Sequence, residues 1–487
     1  MKTLRAGVLL LGGLLPALLS AQLPSGDPPD LWAGAADTTS APTLALVGAT
    51  ILDGTGAPPL SNGVVVTDGA RLSCVGSPSD CPIPDGSERV DVSGHWIVPG
   101  LIDAHVHFSQ TGWADGRPDA LDLRVDHPYP EAMALLRDRA ADLGRSYLCS
   151  GVTAVFDVGG YPWSWSLREP SVTNPWMPRI AAAGPLLSTR DHWLNLPAER
   201  QFLYMGSRDA VREATDYLLS FGTDAVKVWF LPATEPSAVA VQREYLGLAA
   251  RWSRSAGIPL IVHATHLEGA LSAVSVGAHL LVHSVDDRLV DDEFLSRARA
   301  SGVIYTPTLT VPDGYTQLRE RQFEEGSIGT ECIDPWTLAL VRETPHLPGR
   351  PSEEVLQRGR EAAEERRERM FENLRRVHAA GIPVAVGTDA GNPLTLHGPS
   401  IFVEMEAMQA AGLAPRDILR AATLTGARAM RLETEIGTLE PGKVADLLVL
   451  SEDPLVDVSN LRSIRWVMRA GHLHSREELV FHHGSGD

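Results

Sequence analysis

The chain has 487 residues, 44% hydrophobic and 21% charged, ordinary proportions for a soluble globular protein with one large domain and a smaller partner. Its 42 Lys and Arg face 61 Asp and Glu, a formal net charge of -19. Such a surface repels polyanions, so nucleic acid and anionic membranes are excluded as expected partners.

The first residues read as a secretory signal over 1–21. Lys2 and Arg5 precede an apolar run over residues 6–20, and Ser20 and Ala21 supply small residues for cleavage near Ala21–Gln22. The run is shorter than the roughly 20 residues that cross a bilayer, and Gly12, Gly13 and Pro16 interrupt it. The sequence therefore predicts export to the periplasm or the extracellular space, with no stable membrane span after cleavage. Residues 22–42, rich in Pro, Gly, Ser, Ala and Asp, read as a flexible linker. Export permits disulfides. Cys74 and Cys81 flank a Gly/Pro/Ser turn and could close a short loop or stay free thiols. With Cys149 and Cys332 they do not have the spacing of a zinc cluster.

Next come short strand-like pieces at 44–52, 63–69, 70–76 and 95–100, separated by Gly and Asp turns. From residue 100 the rhythm changes. Eight apolar runs, at 101–107, 152–159, 179–187, 225–230, 259–264, 280–285, 303–309 and 384–389, alternate with helical patterns. Fully apolar strands alternating with helices imply a parallel sheet buried on both faces, and eight units fit a closed (β/α)8 TIM-like barrel over 100–434. Residues 310–380 are longer than a βα unit needs. They carry the charged run EEVLQRGREAAEERRERMFENLRRVHAAG, read as a helical insertion that covers the barrel mouth, contacts another subunit in a homo-oligomer, or is a solvated excursion. After residue 435 β character returns, so a small β domain is expected from both chain ends, 43–99 plus 435–480.

The residues that carry chemistry sit at strand ends, and in barrels the C-terminal strand ends face the active site. His105-Val106-His107 closes the first run, and period-2 alternation puts both imidazoles on one face. Lys227 lies among apolar residues in AVKVWF, where burial is costly unless the amine is paired or modified. A carboxylated lysine would be anionic and could bridge two cations. His263 and His283 end the fifth and sixth runs, and Asp389 ends the eighth. Asp389 could be a helix N-cap; in this setting it is better placed as a metal ligand and general base. Nitrogen and oxygen donors without thiolates suit zinc, with manganese, cobalt and iron open. Two nearby cations would acidify a bridging water. His266, at the expected start of the next helix, is read as structural, as a support for the neighbouring site residues, or as without a role. Gly391, Asn392, Pro393 and His397 follow in a loop expected to line the site, with His397 and His192 as candidate substrate contacts.

PGLIDAHVH, Lys227, HATHLEGA, LVHSVDD, GTDAG and IGTLEPGKVADLLVL together resemble the amidohydrolase superfamily. The nearest resemblance is to its imidazolonepropionase-related branch, with secreted prolidase-like peptidases and ochratoxin-hydrolysing amidases. It implies a distorted barrel with a β-sandwich built from both termini, and a small-molecule amide or dipeptide as substrate. It further implies one metal on His105, His107 and Asp389, a second on His263 and His283, and carboxylated Lys227 with a hydroxide between them. The hydroxide would attack an amide carbonyl, and Asp389 would move the proton to the leaving amine. Imidazolonepropionase itself lacks the bridging lysine. Two other readings stay open: a mononuclear cyclic-amide hydrolase or deaminase with His283 as the catalytic group, and a non-catalytic exported binding protein.

Overall fold

The computed structural model describes residues 41–482. The predicted signal peptide, and the predicted linker up to residue 40, lie outside the described residues. In chain order the strands are β1 (Leu44–Ile51), β2 (Leu60–Asp68), β3 (Arg71–Gly76), β4 (Glu88–Asp91), β5 (Trp96–Pro99), β6 (Leu101–Val106), β7 (Val152–Asp157), β8 (Arg179–Ala182), β9 (Leu186–Ser188), β10 (Phe202–Tyr204), β11 (Val226–Trp229), β12 (Leu260–His263), β13 (Leu280–Val282), β14 (Ile304–Thr306), β15 (Leu447–Leu450), β16 (Ile464–Arg469) and β17 (His472–Ser475).

The two chain ends meet in one sheet. Its order is β17-β16-β15-β5-β1-β2-β3, with β4 also paired to β1. The seam is antiparallel, with Val98 opposite Leu448. One face of this sheet buries Leu46, Val65, Ile97, Leu447 and Val449 in a cluster of its own. Val98, Leu448, Leu450 and Val467, one residue out of phase, join the large central core instead. Hydrogen bonds join the eight strands in one continuous order.

The remaining strands form the parallel part of a TIM-barrel-like α/β fold. Every residue of β6 and β7 is buried, as a sheet covered on both faces requires. Two parallel sheets are present, β6-β7-β8 and β10-β9-β11-β12-β13-β14. Two corrections to the predicted strands explain the division. The run at 179–187 is not one strand. Gly184 has φ +65, and a Cβ there would lie 2.2 Å from the Trp165 ring. The chain turns at this glycine, so β8 pairs with β7 while β9 pairs with β11. The run at 384–389 forms isolated bridges rather than a strand. Its backbone still links the sheets. Tyr305 N–H donates to Pro383 O at 2.9 Å on one side, and Ala104 N–H to Val386 O at 2.9 Å on the other. Gly387 makes this passage possible, because a Cβ there would be 2.4 Å from Thr306 and 2.8 Å from His105.

Helices α1 (Ala140–Cys149), α2 (Arg208–Ser220), α3 (Pro236–Ser255), α4 (Leu267–Val276) and α5 (Asp292–Ser301) alternate with the strands. Ser207 caps α2 and Asp291 caps α5, each accepting from a backbone N–H in the first turn. The long insertion contains α6 (Val311–Glu320), α7 (Pro335–Arg342) and α8 (Glu353–Ala379). Met370, Asn373, Leu374 and Val377 of α8 are buried at helical spacing. The other faces of α8 are solvated and carry pairs such as Arg358–Glu354 at 2.9 Å.

Both cysteine pairs are disulfides, Cys74–Cys81 and Cys149–Cys332. The second ties the end of α1 to the insertion across 183 residues of sequence. Cross-linking a long loop restricts the unfolded chain most. Cys332→Ser is expected to cost about 2–5 kcal/mol in denaturant unfolding under non-reducing conditions. Cys74→Ser, which opens a loop with a separation of 7 residues, should cost less.

Candidate metal centre and substrate cavity

His105 is the fifth residue of β6, and His107 follows the strand by one residue. Their Nε2 atoms are 3.2 Å apart. Asp389 arrives from the bridging segment, held by its N–H to His105 O at 2.7 Å. Its Oδ1 lies 3.2 Å from His105 Nε2 and 2.9 Å from His107 Nε2. All three side chains are buried. His283 Nδ1 is 3.8 Å from Asp389 Oδ2. The His263 and His283 rings are 4.3 Å apart, and those of His105 and His283 4.9 Å. Lys227 is 3% exposed and lines the same cavity as His263, His283 and Asp389. The predicted set is thus brought to one place from β6, β11, β12, the residue after β13, and the bridging segment.

Backbone strain marks the site. His283 has φ 76 and Asp389 φ 60, left-handed conformations that cost non-glycine residues on the order of 1–3 kcal/mol. Surrounding groups hold them there. Asp103 accepts from His105 N–H at 3.2 Å, Thr388 N–H at 3.0 Å and Thr388 Oγ1 at 2.6 Å. His107 Nδ1 is 2.6 Å from Gly159 O, and His283 Nδ1 is 2.8 Å from Thr308 Oγ1.

The electrostatics favour cation ligation. Burial holds the His105 imidazolium down to about 3, with Lys227 and His107 adding to the effect against Asp389. Burial likewise pushes His263 and His283 well below the usual range. These rings are therefore neutral, the form that donates a lone pair to a metal. Burial opposes ionisation of Asp389, but His105, His107 and His283 hold its carboxyl well below the usual range. Burial also lowers Lys227 to about 7, against the pull of Asp389 and Asp157. His105, His107 and Asp389 each offer a ligand atom within 4.8 Å of the others. Asp389 Oδ1 and His105 Nδ1 have no hydrogen-bond partner among the described residues. A carboxylate oxygen facing two imidazole nitrogens fits a divalent cation.

The centre opens into a cavity of about 770 Å³. One wall is aromatic. The His192 and Phe202 rings stack at 4.7 Å, and Trp229 lies 5.1 Å from His192 and 5.2 Å from Phe202. The insertion supplies another wall, from Tyr315 and Arg319 on α6 to Arg366 and Met370 on α8. Asn392 lines the cavity and joins the walls, because its Oδ1 accepts from Arg117 Nη1 at 2.5 Å and Tyr315 OH at 2.8 Å.

His192 lines the cavity as predicted. His397 does not. It is 2% exposed and bonded at both nitrogens, Nδ1 with Tyr147 OH at 2.8 Å and Nε2 with Gln110 O at 2.9 Å. It braces the wall, and no nitrogen is left for a substrate. His266 is exposed. Arg117 and Tyr315 were not predicted, since they come from connections with no strand-end signal. Asp157, buried at the end of β7 and receiving Gly159 N–H at 3.1 Å, was accessible to the strand-end argument and overlooked.

The chain belongs to the amidohydrolase family, whose pattern it matches over residues 96–473. By class it is a hydrolase of carbon–nitrogen bonds. The imidazolonepropionase of Rhizorhabdus wittichii is 26% identical over 430 residues, covering 80% of this chain and 88% of that one. Among solved structures, an A. niger ochratoxinase superposes with a TM-score of 0.67 at 19% identity, over 90% of this chain and 96% of that one. A Xaa-Pro dipeptidase with bound methionine superposes with a TM-score of 0.68 at 21% identity, over 89% of this chain and 100% of that one. These two likenesses concern the fold.

Thr308→Val is expected to weaken zinc binding about 10–100-fold in competitive chelator titration, because His283 loses the partner that orients its ring. His397 supplies a pH test. Burial lowers it from 6.5 to about 4, with Gln110 O opposing and His107 assisting. The folded state thus binds fewer protons than the unfolded state between those values. Its contribution is complete above pH 6.5 and lost as pH falls towards 4, about 3 kcal/mol in all. His397→Gln should flatten the stability profile in that window, read by denaturant unfolding.

Proposed function

We propose that this protein hydrolyses an amide or peptide-like C–N bond in a small molecule, with divalent cations held by the strand-end cluster. The observation that carries the reading is the convergence of His105 Nε2, His107 Nε2 and Asp389 Oδ1, each within 3.2 Å of the others, with His107 and Asp389 on the wall of the cavity. These three residues would hold one cation, and His263 and His283 a second. Carboxylation of Lys227 would place an anionic ligand between the two: its amine adds to carbon dioxide, a C–N bond forms and one proton leaves. The burial of Lys227 on the same cavity wall supports this assignment. Bound cations, zinc first among those the donors suit, would acidify a water and polarise the scissile carbonyl.

The chain's own residues do the rest. Asp389 keeps Oδ2 turned towards His283, available to take the proton of the attacking water and return it to the leaving nitrogen. The His192–Phe202–Trp229 wall shields the reacting bond and seats an apolar group. The reading includes a closed (β/α)8 barrel, a β domain from both chain ends, and export. Export is supported by residues 1–21 and by the pairing of all four cysteines.

A second reading, a mononuclear cyclic-amide hydrolase, is favoured by the imidazolonepropionase relatives. Metal content separates them. About two equivalents per chain by plasma mass spectrometry, falling to about one in Lys227→Ala, are expected for the first reading. One equivalent, unchanged in Lys227→Ala, would select the second. Asp389→Asn should lower kcat on N-acyl amino acids or dipeptides by about 10²–10⁴-fold. Chelation should abolish turnover, with recovery on adding zinc.

A further inference from the structure

Four arginines line the cavity: Arg117, Arg319, Arg366 and Arg369. Three are engaged. Arg117 gives Nε and Nη2 to Asp119 at 2.9 and 2.8 Å, and Nη1 to Asn392. Arg366 pairs with Asp286 at 2.6 Å, and Arg369 donates to Asp286 O at 2.5 Å. Arg319 has no ion-pair or hydrogen-bond partner among the described residues. It is exposed and follows Tyr315 by four residues on α6, so the two share a helix face. The Arg117 guanidinium lies 5.7 Å from the centre of the Tyr315 ring. Of its five N–H groups three are spent on Asp119 and Asn392, which fix its plane, and two remain.

We propose that Arg319, with the two remaining N–H groups of Arg117, forms a subsite for a free carboxylate of the substrate, beside the aromatic wall that takes an apolar side chain. The proposal rests on the amide-hydrolase reading and names its substrate class: an N-acyl amino acid or peptide with an unblocked terminal carboxylate and an apolar, preferably aromatic, side chain. A guanidinium matches a carboxylate with two parallel N–H bonds. At a net charge of -19 the protein as a whole repels such an anion, so its capture needs a local cation that no acidic side chain has neutralised. Arg369 is held by the Asp286 carbonyl, and Arg319 is the cavity arginine with no partner among the described residues. An anchor of this kind also has a chemical use. A free carboxylate is itself a good ligand for divalent cations. Held on the insertion, it leaves the scissile carbonyl, rather than the carboxylate, to reach the centre.

The test compares N-acetylphenylalanine with its carboxamide, by calorimetry on the metal-free full-length chain. The carboxylate is expected to bind about tenfold tighter, equivalent to about 1.4 kcal/mol. Arg319→Gln should bring the two ligands to parity, and Arg319→Lys should restore part of the difference. Equal binding of the two ligands, binding of neither, or a preference that survives Arg319→Gln would overturn the subsite. Turnover separates this from the reading beneath it. A carboxylate preference without metal-dependent hydrolysis of any N-acyl amino acid would sink the amide-hydrolase reading alone. Hydrolysis without a preference would sink the subsite alone.

Discussion

Three electron-rich atoms pressed together in a buried site are the constraint on which the rest depends. His105 Nε2, His107 Nε2 and Asp389 Oδ1 lie within 3.2 Å of one another, and burial keeps the His105 ring neutral. No proton satisfies all of them, and close approach of lone pairs is unfavourable unless a cation lies between. The fold is arranged to enforce that approach. Gly387 lets the bridging segment run against β6 and β14, and Asp389 is held in a left-handed conformation that its side chain alone would not select. Asp103 ties both sides together through His105 and Thr388.

Burial works differently on the carboxylates around the centre. Asp103 is pushed up to about 7 by desolvation, against its bonds from Thr388 and His105. Glu404 is pushed up to about 8 by burial, although it accepts from Leu309 N–H, Thr310 N–H and Thr310 Oγ1. Neither lines the cavity. Asp389 alone of the three carboxylates is surrounded by imidazoles and stays anionic at ordinary pH. One carboxylate is thus kept charged among imidazoles, while the other two are pushed towards their neutral form.

Much of this was legible in the sequence. Apolar runs that carry His105, His107, Lys227, His263 and His283 contain both the strand and the face on which each side chain lies, because period 2 and the barrel's polarity are local rules. The divided sheets were not legible. They depend on Gly184 striking Trp165 and on Gly387 passing between β6 and β14, contacts between residues distant in sequence. His397 misled because the loop after a strand-end aspartate is where substrate contacts are expected, and only packing shows both nitrogens bonded to Tyr147 and Gln110. Arg117, Tyr315 and Arg319 lie on connections whose course no periodicity reports. The disulfide of Cys149 with Cys332 escaped for the same reason.

The most direct measurement is anomalous diffraction at the zinc edge from crystals grown with zinc. A peak bounded by His105 Nε2, His107 Nε2 and Asp389 Oδ1, with a second near His263 and His283 and continuous density from Lys227 Nζ reaching both, is the predicted result. Absence of a peak among His105, His107 and Asp389 would contradict the central claim.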